Sequence, residues 1–120
     1  MYSFFNFNFF IFFSLNNILS YIRMFVQLEK SDREGKKYKA IFYDDERKKI
    51  KTSHFGATGY TDFTLTGDED KKDNYISRHS KENWNDPTTP ATLSRYILWN
   101  YKSLSKSYND YLKRFGLKKY

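Results

Sequence analysis

The spacing of apolar and polar residues changes character about halfway along the chain. Phe25-Val26-Gln27-Leu28-Glu29-Lys30 alternates in the two-residue period of a half-buried strand. Tyr38 to Tyr43 reads as a second strand, and Asp44 to Arg47 as a turn, since Asp is enriched where chains reverse. Lys48 to Phe55 predicts a third strand, antiparallel to the second. Gly56 and Gly59 bracket a tight loop that calls for positive φ, and Tyr60 to Leu65 is expected to add a short fourth strand.

Helical spacing takes over from Thr66. Thr66-Gly67-Asp68 opens a helix whose first turn gathers Asp68, Glu69 and Asp70 at the positive end of the dipole, with Tyr75, Ile76 and His79 on one face. Ser80 to Pro87 is a loop holding Trp84. Thr89 caps a short helix with Pro90 in its first turn and Leu93, Tyr96, Ile97 and Asn100 along one side. In the last helix Leu104, Tyr108, Tyr111, Leu112 and Phe115 form one apolar stripe, Ser103 or Ser105 caps the start, and Gly116 ends it. The fold class expected is α+β: a small antiparallel sheet of three to four strands, followed by three helices packed on one face.

Charge divides the chain. Residues 1–22 carry no charged side chain, and Arg23 is the first. All fourteen acidic residues and twenty of the twenty-one basic ones follow, so residues 24–120 form a single basic domain of net charge +6. Residues 1–23 hold seven of the twelve Phe and four Asn. Three readings compete for this segment. The favoured one is an AT-rich upstream stretch translated in frame, with the working start at Met24. A membrane anchor is second, because about 20 apolar residues span a bilayer. A signal peptide is third, lacking a basic n-region and a small-residue cleavage site.

No cysteine is present, which excludes disulfides and thiolate metal sites. The Gly-rich phosphate loops and the nucleophile-elbow motif are missing, so common nucleotide-hydrolysing and acyl-transfer enzymes are not indicated. His54 and His79 are the only histidines, at a spacing that builds no zinc site; no metal or cofactor is expected. Gly56-Ala57-Thr58-Gly59 is a tight turn first and an anion-cradling loop second. Basic residues fall in three groups: Arg47, Lys48, Lys49 and Lys51; Lys71, Lys72 and Arg78; and Lys113, Arg114, Lys118 and Lys119. Each alone is a solvated face, but together they would make a phosphate-binding surface. Arg95 has two open partners, a phosphate or a buried carboxylate such as Asp62. Tyr96, Trp99 and Tyr108 read as core before they read as base-stacking surfaces.

Several runs from Leu28 onward carry a resemblance: Leu28-Glu29-Lys30-Ser31-Asp32, Lys51-Thr52-Ser53-His54-Phe55-Gly56, Gly59 with Asp62-Phe63-Thr64, Tyr75 with Arg78-His79, Trp84, Leu93-Ser94-Arg95 with Leu98-Trp99-Asn100, and Lys113-Arg114-Phe115. In these the chain resembles a family of small basic proteins encoded by large DNA viruses of algae and amoebae. The resemblance implies a viral setting, in host cytoplasm, viral factory or virion, and carries no activity with it. A weaker similarity, in the order of elements, is to the WGR domain of poly-ADP-ribose polymerases. His54 to Tyr60 stands where that domain has its Gly-rich turn, and the signature Trp and Arg are missing.

The leading expectation is a non-enzymatic protein that contacts the phosphates of DNA or RNA with little sequence readout. The residues expected to bind are Lys48, Lys49, Lys51, Arg78, Arg95, Lys113 and Arg114, on a frame that depends on Gly56, Gly59, Trp84 and Trp99. The alternatives are a virion or membrane-associated scaffold that binds an acidic protein or lipid, and a metal-dependent nuclease using His54 or His79. A membrane partner requires that residues 1–23 be retained.

Overall fold

Strands β1 (Phe25–Lys30), β2 (Lys36–Tyr43) and β3 (Lys49–Ala57) form an antiparallel meander in a computed structural model that describes residues 24–120. The competing readings of residues 1–23 therefore lie outside the described residues. Val26 faces Phe42 across β1–β2, and Tyr38 faces Phe55 across β2–β3. The alternation seen in the sequence thus delivers Val26, Ala40, Phe42 and Phe55 to one sheet face, where all four are buried.

The stretch expected to be a fourth strand is instead helical. Asp62 has extended backbone and its carboxylate accepts from the Thr64 N–H, which starts a single turn, α1 (Phe63–Thr66). Capping of this kind satisfies a backbone donor that a strand edge here would leave open. The true fourth strand, β4 (Lys118–Lys119), comes from the C-terminal end and runs parallel to β1. The sheet order is β3-β2-β1-β4, and the sheet is mixed where an antiparallel one was expected.

The helices lie over the apolar sheet face. In α2 (Glu69–Arg78) the Asp68 carboxylate caps the Asp70 and Lys71 N–H groups. Thr89 caps α3 (Pro90–Leu93), which passes directly into a π-helical turn, Ser94–Leu98. Ser103 caps α4 (Leu104–Arg114). Leu93, Ile97, Leu98, Tyr111 and Leu112 from these elements close the core against Val26, Phe42 and Phe55. Two phenols fasten α4 in place: the Tyr108 hydroxyl donates to the Val26 carbonyl at 2.8 Å, and the Tyr111 hydroxyl to the Pro87 carbonyl at 2.6 Å. Burial pushes Tyr108 up to about 12 and Tyr111 higher still. Among the described residues no helix is long and apolar enough to cross a membrane.

Candidate functional site

The π-helical turn organises the most unusual part of the molecule. The Trp99 N–H donates to the Ser94 carbonyl at 3.0 Å, five residues back, so the turn is one residue wider than an α-turn. Such bulges recur at functional sites. Here the turn sets two aromatic systems side by side.

The first is a stack of Trp99, Tyr75 and His79. Trp99 and Tyr75 lie nearly parallel with centroids 4.5 Å apart, and His79 stacks on Tyr75 at 4.2 Å. The His79 Nδ1 meets the Glu82 carboxylate at 2.5 Å, which fixes the imidazole edge. Burial, reinforced by the Glu82 charge, pushes the Tyr75 phenol up to about 12, against the opposing pull of Ser94, Arg95 and Arg78.

The second system alternates cations and rings. The Arg95 guanidinium lies 5.5 Å from the Trp84 ring centre and 5.0 Å from that of Tyr96, and Arg114 lies 4.5 Å from the same Tyr96 ring. Two guanidiniums therefore share one tyrosine. Arg114 also reaches Asp110 at 3.4 Å. Among the described residues Arg95 has no carboxylate within ion-pair distance; its Nη1 donates to the Trp99 carbonyl at 2.8 Å, and its buried Nε has no acceptor there. The indole N–H of Trp84 is likewise buried without an acceptor among the described residues. Burial, and then the nearby Arg114 charge, pull the Arg95 guanidinium below its ordinary value, with Tyr96 and Tyr75 opposing. The guanidinium is partly buried and its charge has no anionic partner among the described residues, which leaves that charge open to an anion from outside.

Of the two partners open to Arg95, Asp62 is ruled out. Asp62 is buried and is taken by Lys37, whose Nζ sits 2.6 Å from its carboxylate and 2.6 Å from the Tyr60 carbonyl. The sequence reading missed Lys37, and its signal was its place on β2 opposite the end of β3.

The predicted basic residues do not form one group. Arg95 and Arg114 converge on Tyr96, while Arg78, in the last turn of α2, stands on the rim of a cleft beside Tyr75. Lys113 is exposed beside Arg114 on the last turn of α4. Lys48, Lys49 and Lys51 lie apart, at the β2–β3 turn and the start of β3. There Lys48 approaches Glu46 at 3.6 Å, and Lys51 donates to the Thr88 hydroxyl at 3.0 Å. Arg47, in the same turn, folds over Phe25 at 4.3 Å. His54 contacts the Ser31 hydroxyl at 2.7 Å. Among the described residues no group of three His, Asp or Glu side chains is placed to hold a metal ion.

An open cleft of about 540 Å³ adjoins the first stack. Its floor includes Gly56 and Leu98, and its rim carries Lys36, Tyr60, Arg78 and His79. Gly56 and Gly59 both have positive φ, 78° and 85°. At Gly56 a Cβ would meet the Leu98 Cδ1 at 2.8 Å, so this glycine keeps the cleft floor open as well as turning the chain.

Over residues 26–79 the chain matches a family of unknown function (DUF5754). The matched stretch runs from β1 to the His79 end of α2. It takes in the hairpin lysines, Gly56, Gly59 and Arg78, and stops short of Trp84, Arg95 and Arg114. No curated protein and no solved structure matches the chain.

Proposed function

We propose that this protein is a non-enzymatic nucleic-acid-binding protein that grips phosphates through paired arginines and reads little base sequence. The observation that carries the reading is Arg95. It is a partly buried cation with no carboxylate partner among the described residues, held between Trp84 and Tyr96, with Arg114 also on the Tyr96 ring. Guanidiniums suit phosphate because their donors are planar and forked, and they keep their charge when partly desolvated. The flanking rings offer stacking to unpaired bases, which tolerates any base. The net charge of +7 supplies long-range attraction. Lys113 extends the arginine pair, and Lys48, Lys49 and Lys51 form a second, separate cationic region. The resemblance to small basic proteins of large DNA viruses suits a setting in host cytoplasm, viral factory or virion.

The test is fluorescence anisotropy of the full chain with labelled single-stranded DNA, duplex DNA and RNA across a salt series. Binding should weaken linearly in log salt, with a slope that counts the phosphates contacted. Arg114→Glu with Lys113→Glu should weaken binding and flatten that slope. Lys48→Glu with Lys49→Glu tests the second region in the same way. The proposal falls if no polymer binds at low salt, or if neither pair of charge reversals changes the affinity.

A further inference from the structure

The cleft between β3 and α2 combines features that the arginine–aromatic stack lacks. Its volume, about 540 Å³, lies within the range of sites that enclose small ligands. The acidic groups at its edge are already engaged: Asp62 with Lys37 at 2.6 Å, and Glu82 with His79 at 2.5 Å. Two cations on its rim are not. Lys36 and Arg78 are both exposed and form no ion pair among the described residues. Two aromatic rings on the rim are also available. Tyr60 is 74% exposed on the loop after β3. His79 stacks on Tyr75 and holds Glu82 through its Nδ1, and its side chain remains 34% exposed. The floor is a glycine whose missing side chain makes the depth possible, since a Cβ there would strike Leu98 at 2.8 Å.

Free cations beside free rings over a small-residue floor are the complement of a planar ring joined to an anion. We propose that this cleft binds one phosphorylated nucleoside, its base stacked against His79 with Tyr60 closing over it and its phosphate held by Arg78 and Lys36. The site is distinct from the arginine–aromatic stack and stands whether or not that stack holds a strand. The same chemistry is presented by a free nucleoside monophosphate and by the phosphorylated terminal nucleotide of a single strand.

The experiment titrates the full chain with adenosine monophosphate, adenosine and inorganic phosphate, by calorimetry or by chemical-shift changes in the His79 ring. The monophosphate should bind at least tenfold more tightly than adenosine or phosphate alone. Tyr60→Ala and Arg78→Ala should each weaken it by roughly tenfold, the scale of one base stack or one charge-assisted contact. Tyr60→Phe should keep the affinity, and far-ultraviolet circular dichroism should be unchanged in all three variants because both residues are exposed. A 5′-phosphorylated single-stranded oligonucleotide then separates the sources: displacement of the monophosphate by it supports the strand terminus, and lack of displacement supports the free nucleotide. The proposal is overturned if the monophosphate does not bind at millimolar concentration, or binds equally well to the Tyr60→Ala and Arg78→Ala proteins. Loss of polymer binding in Arg114→Glu with monophosphate binding intact bears on the phosphate-gripping reading and leaves this one standing.

Discussion

Replacing Gly56 by Ala should cost far more than the same change at Gly35, and the difference measures how tightly β3 is pressed onto the π-helical turn. Both glycines have positive φ, 78° and 83°. An L-residue in that conformation is strained by about 1–2 kcal/mol at either site. Removing a glycine also stiffens the unfolded chain, which returns about 0.4–1 kcal/mol to stability at both. The environments differ. Around Gly35 a Cβ would meet nothing within 4 Å, whereas at Gly56 it would lie 2.8 Å from the Leu98 Cδ1 and 3.2 Å from the Lys37 Cβ. Leu98 is 2% exposed and packed into the core cluster, so its methyl can yield only by shifting against buried neighbours or toward the cleft. Overpacking of this kind costs about 1–3 kcal/mol. The expected losses are therefore about 1 kcal/mol for Gly35→Ala and about 3 kcal/mol for Gly56→Ala. For a domain of this size each kcal/mol moves the melting temperature by about 4–8 °C, so the two variants should melt roughly 10 °C apart. Urea unfolding followed by circular dichroism gives the same comparison, with the midpoint shifting and the slope unchanged. Equal destabilisation by the two substitutions would refute the argument, because backbone strain alone would then explain both.

Other outcomes follow from single contacts. Tyr111→Phe removes the hydroxyl that donates to Pro87 at 2.6 Å and strands a buried carbonyl, so urea midpoints should report a loss of about 1–3 kcal/mol. Lys37→Met leaves the Asp62 carboxylate buried without its cation and should cost about 3–5 kcal/mol, while the Lys37→Met, Asp62→Asn double variant should recover part of that in a double-mutant cycle. Tyr75 and Tyr108 are raised to about 12, so between pH 10 and 12 the folded chain keeps protons that the unfolded chain has lost. Stability should be fully present below pH 10 and fall as pH rises through that window, with these phenols ionising at 295 nm only as the circular dichroism signal collapses.

The three-strand meander and the capped helices were legible because each rests on local signals: alternation from Phe25 to Lys30, Asp68 and Thr89 before their helices, Gly116 after the last. The stretch from Tyr60 to Leu65 is a single helical turn where a short strand was expected, because the Asp62 carboxylate accepts from the N–H two residues on, a capping signal too short to show a helical period. β4 is two residues long, too short for any period to show, and depends on β1 being left with an open edge. The π-helical turn has no residue signature at all. Within the candidate site, the basic and aromatic residue types were visible in advance, but their grouping was not. Arg95 and Arg114 meet on Tyr96 only because α4 packs back across the π-helical turn, and Lys37 claims Asp62 only through the β2–β3 register. Contacts of that kind follow from tertiary geometry, which sequence spacing does not encode.

The small strand β4 has a consequence for how copies of this protein meet one another. The Lys118 N–H donates to the Met24 carbonyl and the Tyr120 N–H to the Val26 carbonyl, which occupies the start of the β1 edge. An open edge recruits strands from neighbouring molecules, and short, lysine-bearing edge strands are a common guard against that. Lys118 and Lys119 thus act as a sheath: they satisfy the β1 backbone and then present two like charges to any approaching chain. Clipping the last three residues, or a fusion that pulls them away, would unsheathe the start of β1 and add a second open edge to the one that β3 presents among the described residues.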